Sequence, residues 1–169
     1  MAVIEMTVAR AEDVPALKLL VESAYRGDSA RAGWTHEADL LHDERVDEAD
    51  LLALMNRPDE RILLFRQGDV LVGCAQVTRK NADYAYFGMF AVAPPCQNSG
   101  LGKHILAAAE HQARTVFGVR LMEMTVIAQR TELIAYYERR GYCATGERRP
   151  FPVELDLPLF FIVLEKSLA

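Results

Sequence analysis

Val92-Ala93-Pro94-Pro95-Cys96-Gln97-Asn98-Ser99-Gly100-Leu101-Gly102-Lys103 is the stretch on which the reading of this 169-residue chain turns. The apolar run before it, Tyr84 to Val92, has strand character, and the two prolines end that strand because proline has no ladder donor. Beyond the turn, Leu101, Ile105, Ala108, Ala109, Gln112 and Val116 fall on one stripe of a helix that runs to Phe117 and stops at Gly118. Glycine at 100 and 102 lets the backbone approach a ligand with no Cβ in the way. The free N–H groups of a first helical turn, reinforced by the helix dipole, suit an anion, and a phosphate is the natural occupant. Two better-known phosphate loops do not fit. A Walker A loop needs glycine where Gln97 stands and Ser or Thr where His104 stands; a dinucleotide fingerprint needs a small residue in place of Ile105. On these residues alone, a tight structural turn is as good a reading as a phosphate cradle.

Outward from the turn, strand and helix patterns alternate. Ala2 to Val8 reads as a strand, and Leu17, Leu20, Val21 and Ala24 recur at helical spacing through Tyr25. Acidic Glu12 and Asp13 suit the start of that helix, where Pro15 is tolerated. Glu37 to Arg61 carries nine acids against three bases around Leu51, Leu52, Leu54 and Met55. That reads as a solvated helix face, with an acidic rim that attracts an amine as the sharper alternative. Ile62–Phe65 and Val70–Val77 form a hairpin about Gln67-Gly68-Asp69. Val119–Ile127 is a strand, Thr131 caps a helix that passes Tyr137 and ends at Arg140 before Gly141, and strands near Tyr142–Thr145 and Leu159–Leu164 follow. The order β-α-α-β-β-β-α-β-α-β-β implies one mixed α/β domain over residues 1–169, without repeat or linker.

Composition narrows the function classes. The chain is 51% hydrophobic and 25% charged with a net charge of −5, which excludes wholesale disorder and argues against a general nucleic-acid binder. No apolar run spans a membrane, and the N-terminus lacks a signal pattern. Three widely spaced cysteines, Cys74, Cys96 and Cys143, give neither a disulfide framework nor a metal pair, so the expectation is a cytoplasmic protein. No metal site is expected, since His36, His42, His104 and His111 lack zinc-ligand spacing. Cys96 reads as a small loop residue, and Arg148-Arg149 as a solvated pair rather than a site for an acidic substrate group.

Gln97-Asn98-Ser99-Gly100-Leu101-Gly102 resembles the Gln/Arg-x-x-Gly-x-Gly/Ala motif of the Gcn5-related N-acetyltransferase (GNAT) family. Ala135-Tyr136-Tyr137-Glu138-Arg139-Arg140-Gly141-Tyr142 is similar to that family's second signature, a helix carrying Tyr-Glu-Lys that ends in Gly-Phe. The element order agrees from Val3 to Leu168. The resemblance implies a mixed, mostly antiparallel sheet of about seven strands flanked by about four helices. It also implies that the sheet splays between the Tyr84–Val92 and Val119–Ile127 strands to admit acetyl-CoA. The implied cofactor contacts are the N–H groups of Asn98, Ser99, Gly100, Leu101, Gly102 and Lys103 at the pyrophosphate, and the backbone of Phe90, Ala91 and Val92 along the pantetheine. Gln97 supports the loop. Arg130 stands where many members have an asparagine, and its guanidinium can still reach a phosphate or carbonyl.

The implied activity is N-acetylation of a small-molecule primary amine by direct attack in a ternary complex. Tyr137 holds the position of the acid that protonates the leaving sulfur, and Met89, Phe90 or Ala91 supplies an N–H to the thioester carbonyl. The Tyr84–Val92 strand has no carboxylate to act as base, which leaves Glu123 as the nearest candidate, with an exposed-face glutamate or proton loss through water as alternatives. The acceptor pocket is expected at Tyr25, Trp34, Glu37 and Glu154, where aromatic rings beside carboxylates suit a cationic amine. Two readings compete: a non-catalytic acyl-CoA-binding or regulatory module, favoured by the missing strand carboxylate, and an acyl donor longer than acetyl, given room by Gly88 and Ala91. Homodimers are common in the family, and no sequence feature decides for or against one.

Overall fold

The computed structural model describes residues 3–25, 47–97, 99–150 and 160–168. Seven strands make one sheet: β1 (Ile4–Val8), β2 (Glu60–Gln67), β3 (Val70–Arg79), β4 (Tyr84–Val92), β5 (Leu121–Ile127), β6 (Cys143–Pro150) and β7 (Phe160–Ser167). Their order across the sheet is β1-β2-β3-β4-β5-β7-β6, and every neighbouring pair is antiparallel except β4–β5. Among the described residues four α-helices flank it: α1 (Val14–Tyr25), α2 (Glu48–Met55), α3 (Leu101–Val116) and α4 (Thr131–Glu138). This is the mixed, mostly antiparallel α/β architecture that the family resemblance implies.

Local chemistry accounts for most boundaries. Gly68, at φ +64, turns the β2–β3 hairpin in two residues, with Gln67 and Val70 paired on either side. Asp47 caps α2 by accepting the Ala49 N–H at 2.7 Å. Before α1, a single 3₁₀ turn, Ala11–Asp13, takes the residues expected to start the helix, and Asp13 accepts both the Arg10 N–H and the Arg66 guanidinium. At α4 the cap falls one residue earlier than expected, at Arg130, so Thr131 is the first helical residue. Its end also differs: Arg140 N and Gly141 N bond to Tyr137 and Glu138 at i→i+3, tightening the last turn before Gly141 at φ +98.

Side-chain alternation along the strands divides the core in two. On one face Leu63, Phe65, Val77, Ala85 and Phe87 pack against Leu101, Ile105 and Ala109 of α3 and Tyr137 of α4. On the other, Ile62, Leu64, Cys74 and Ala91 pack under Leu17, Val21 and Ala24 of α1 and Leu51 of α2.

Candidate active site

β4 and β5 run side by side for only three residue pairs: Tyr84 with Leu121, Ala85 with Met122 and Tyr86 with Glu123. Beyond them the strands part. β5 continues against β7 through Ile127, so among the described residues the β4 edge from Phe87 to Val92 has no strand on its β5 side. A bared edge presents backbone donors and acceptors to whatever enters the gap.

β4 also changes geometry within that stretch. Against β3, Cys74 pairs with Ala91 and Gln76 with Gly88, so two residues, Met89 and Phe90, oppose the single Ala75. This is a β-bulge, and Met89 at φ +45 is the sole non-glycine residue with positive φ among the described residues.

The bared edge leads directly into the glycine turn. The Gln97 amide donates to the Val92 carbonyl at 3.2 Å, tying the loop to the strand end, and the Ser99 hydroxyl donates to the Cys96 carbonyl. Gly100 is the N-cap of α3 at φ +85, a conformation suited to glycine. Leu101 anchors the first turn in the core, Lys103 is exposed, and Gly102 sits against the parting itself. A Cβ at Gly102 would lie 3.1 Å from the Phe90 ring and 3.0 Å from the Tyr136 hydroxyl. Arg130 is half-buried at the N-cap of α4.

Of the two tyrosines on α4, Tyr137 is 5% exposed and makes edge contacts with the rings of Tyr136 and Tyr142. Tyr142 in turn donates to Glu110 at 2.9 Å. The sequence singles out Tyr137 and passes over Tyr136, whose hydroxyl lies beside Gly102 while its ring stacks under the Arg140 guanidinium at 3.8 Å. The doubled aromatic at 136–137 was the only available signal, since two consecutive helical positions look in different directions.

Glu123 lies where the strands part, 9% exposed, on the face that carries α1 and α2. One carboxylate oxygen accepts from the Arg149 guanidinium at 2.6 Å; the other is buried with no hydrogen-bond partner among the described residues. Arg149 also binds Glu147, and these two carboxylates hold its proton more firmly than usual. The expected solvated pair therefore divides: Arg149 reaches a buried carboxylate, while Arg148 lies over the Phe160 ring. Strand register places Glu123 in a row of aligned side chains, Glu60, Thr78, Tyr86, Glu123 and Glu165, that crosses five strands on this face. Within it Glu60 accepts from Thr78 and Gln76, and the Tyr86 hydroxyl meets Thr125. That polar row joins residues from five separate segments and has no sequence motif.

A profile of the acetyltransferase (GNAT) family matches residues 17–142. The chain belongs to that family. Solved structures agree in fold at low identity. Ribosomal-protein-S18-alanine N-acetyltransferase from Escherichia coli is 17% identical, with 99% of this chain and 95% of that one covered at a TM-score of 0.76. The yncA protein of Salmonella typhimurium, solved with its cofactor acetyl-CoA, is 20% identical over 99% and 95% at 0.75. A chimera of the Vibrio cholerae spermidine N-acetyltransferase is 14% identical over 98% and 95% at 0.74.

Among the site residues expected from sequence, Phe90, Ala91, Val92, Gln97, Ser99, Gly100, Leu101, Gly102 and Lys103 form one continuous path along the bared edge into α3. Tyr25 is the last residue of α1. Asn98, Trp34, Glu37 and Glu154 lie outside the described residues. Among the described residues, no three His, Cys, Asp or Glu side chains gather as a metal site, and no helix is long and apolar enough to cross a membrane.

Proposed function

We propose that this GNAT-family protein transfers the acetyl group of acetyl-CoA to a primary amine of a small molecule within a ternary complex. The observation that carries the reading is the parting of β4 from β5, whose bared edge runs into a helix N-terminus opened by glycine. Its fit to the cofactor rests on Gly102, where any Cβ would crowd Phe90 and Tyr136 and fill the cradle. When bound, acetyl-CoA supplies an activated acyl thioester.

The chain's own residues divide the remaining work. The first-turn N–H groups from Gly100 to Lys103 face the pyrophosphate together with the dipole of α3, and Arg130 adds a positive charge near the entrance. The Phe90–Val92 edge pairs with the amide-rich arm. Tyr137 returns a proton to the departing sulfur, since a phenol is acidic enough to meet a thiolate. Glu123 turns its unpartnered oxygen toward the amine, orienting the ammonium and receiving its proton directly or through water. The acceptor approaches from the face of Glu60, Tyr86 and Glu123, with Tyr25, Trp34, Glu37 and Glu154 as the wider pocket. Two of the similar structures bear the names of N-acetyltransferases acting on an alanine and on spermidine, which fits an amine as acceptor.

One observation favours a non-catalytic acyl-CoA-binding role instead: Arg149 already occupies one oxygen of Glu123, the carboxylate where the strands part. Calorimetric titration with acetyl-CoA, repeated on Gly102→Glu, separates these from a fold that has lost its ligand. Binding to the wild type that the variant loses supports the cradle. Release of free thiol on adding a panel of aliphatic primary amines then supports transfer, while binding without release supports the second role. No binding to the wild type overturns both.

A further inference from the structure

Sequence left three amides, those of Met89, Phe90 and Ala91, as candidates to polarise the thioester carbonyl. The structure bears on two of them, Phe90 and Ala91, through a residue with no role assigned so far. Cys74, fully buried on β3, donates its S–H to the Met89 carbonyl at 3.2 Å. Ala91 pairs with Cys74 in the β3–β4 ladder, and, two residues on, the Ala93 N–H donates to the Val72 carbonyl, so by the alternation of the ladder the Ala91 N–H faces β3. The Met89 carbonyl and the Phe90 N–H belong to one peptide unit, and no cis peptide occurs among the described residues. Across a trans peptide the carbonyl and the following N–H point in opposite directions. With the carbonyl turned toward β3, the Phe90 N–H points toward the side from which β5 has withdrawn.

We infer that Cys74 is a positioning residue, whose S–H holds the Met89–Phe90 peptide so that the Phe90 N–H meets the carbonyl oxygen of the bound thioester. The inference rests on the acetyl-CoA reading above. Met89 at φ +45 is a conformation that a non-glycine residue keeps only where its surroundings hold it, and the thiol is a hold at its carbonyl. A donor aimed at developing charge does its work by being fixed beforehand, so a loose peptide at this bulge would polarise less. The thiol suits the task because burial pushes its pKa from the ordinary 9.0 up to about 12, which keeps the proton on sulfur.

The test reads the carbonyl itself. Infrared difference spectra of carbonyl-¹³C acetyl-CoA, free and bound, are recorded with the wild type, Cys74→Ser, Cys74→Ala and Cys74→Val. Ser keeps a donor, Ala removes it, and Val removes it while filling the space, so one donorless variant survives if the other fails to fold. The carbonyl stretch is expected to fall on binding to the wild type and to Cys74→Ser. Most of that fall is expected to disappear in Cys74→Ala and Cys74→Val, with Kd for acetyl-CoA changed less than about threefold, because the glycine turn is untouched. An equal fall in wild type and both donorless variants overturns the role of Cys74. No fall in the wild type, despite binding, overturns the assignment of Phe90. Absence of binding to the wild type overturns the acetyl-CoA reading and this inference with it.

Discussion

Cys74 and Tyr142 are both buried acids, and each yields an outcome measurable without any substrate. The Cys74 thiol is pushed up to about 12 chiefly by burial, with the Ala91 N–H pulling weakly the other way. In the unfolded chain that thiol loses its proton near 9, so the folded state holds more protons above that pH. Its contribution to stability is therefore complete below about pH 9 and declines as pH rises from about 9 toward 12. Thiol titration with Ellman's reagent at pH 8 should modify exposed Cys143 quickly and Cys74 only after denaturation; rapid reaction of Cys74 in the Cys96→Ser/Cys143→Ser variant would contradict its burial. Tyr142, raised by burial and by the adjoining Glu110, keeps its proton throughout the same range. Tyr142→Phe removes one donor to Glu110 and leaves Lys166 in place at 2.9 Å. The expected cost is about 1 kcal/mol in urea unfolding; a loss above about 3 kcal/mol would mean that the hydroxyl carries more of the packing than its one bond implies.

Between elements, the Glu123–Arg149 pair ties β6 to the point where β4 and β5 part. Arg149→Met leaves a buried carboxylate without its cation, which should cost about 1–3 kcal/mol given that the guanidinium is itself partly in water. Adding Glu123→Gln should recover part of that loss, because an amide tolerates the vacated position better than an unpaired anion does. If Arg149→Met matches the wild type within roughly 0.3 kcal/mol, the pair contributes nothing to holding the strands. The same pair shows where sequence reading stops. Glu123 was legible as a carboxylate among apolar neighbours, but its partner depends on how β6 lies against β7. β6 itself is Cys-Ala-Thr-Gly-Glu-Arg-Arg-Pro, an edge strand without apolar alternation, so it runs to Pro150 where the pattern suggested an end near Thr145. The bulge at Met89–Phe90 was equally silent, because one inserted residue alters register without altering composition. The glycine turn was readable for the opposite reason: Gly100 at φ +85 and Gly102 against Phe90 are positions where only one residue type fits comfortably.

Across the whole molecule, the parting of β4 from β5 leaves a seam between two halves of the sheet, which one core cluster bridges on the face of α3 and α4. Along that seam the two halves of the sheet share only three residue pairs directly, while β3–β4 and β5–β7 each make long ladders. A ligand that hydrogen-bonds to the bared β4 edge and to the N-terminus of α3 therefore replaces contacts that the sheet lacks there. It binds the folded state and not the unfolded chain, so it must raise thermal stability by mass action. At a hundredfold excess over Kd the gain is about 2.7 kcal/mol, or roughly 5–10 °C in Tm for a chain of this size. Scanning calorimetry with acetyl-CoA and with coenzyme A should give similar rises, since both present the same pyrophosphate and amide arm to the cradle. Gly102→Glu should melt within about 3 °C of the wild type when both are free, its side chain entering the gap rather than the core, and should show no rise with either ligand. A full rise in Gly102→Glu would place the ligand elsewhere than on the glycine turn. A rise with acetyl-CoA but none with coenzyme A would mean that the acetyl group, held at the bulge, contributes more than the phosphates held by α3.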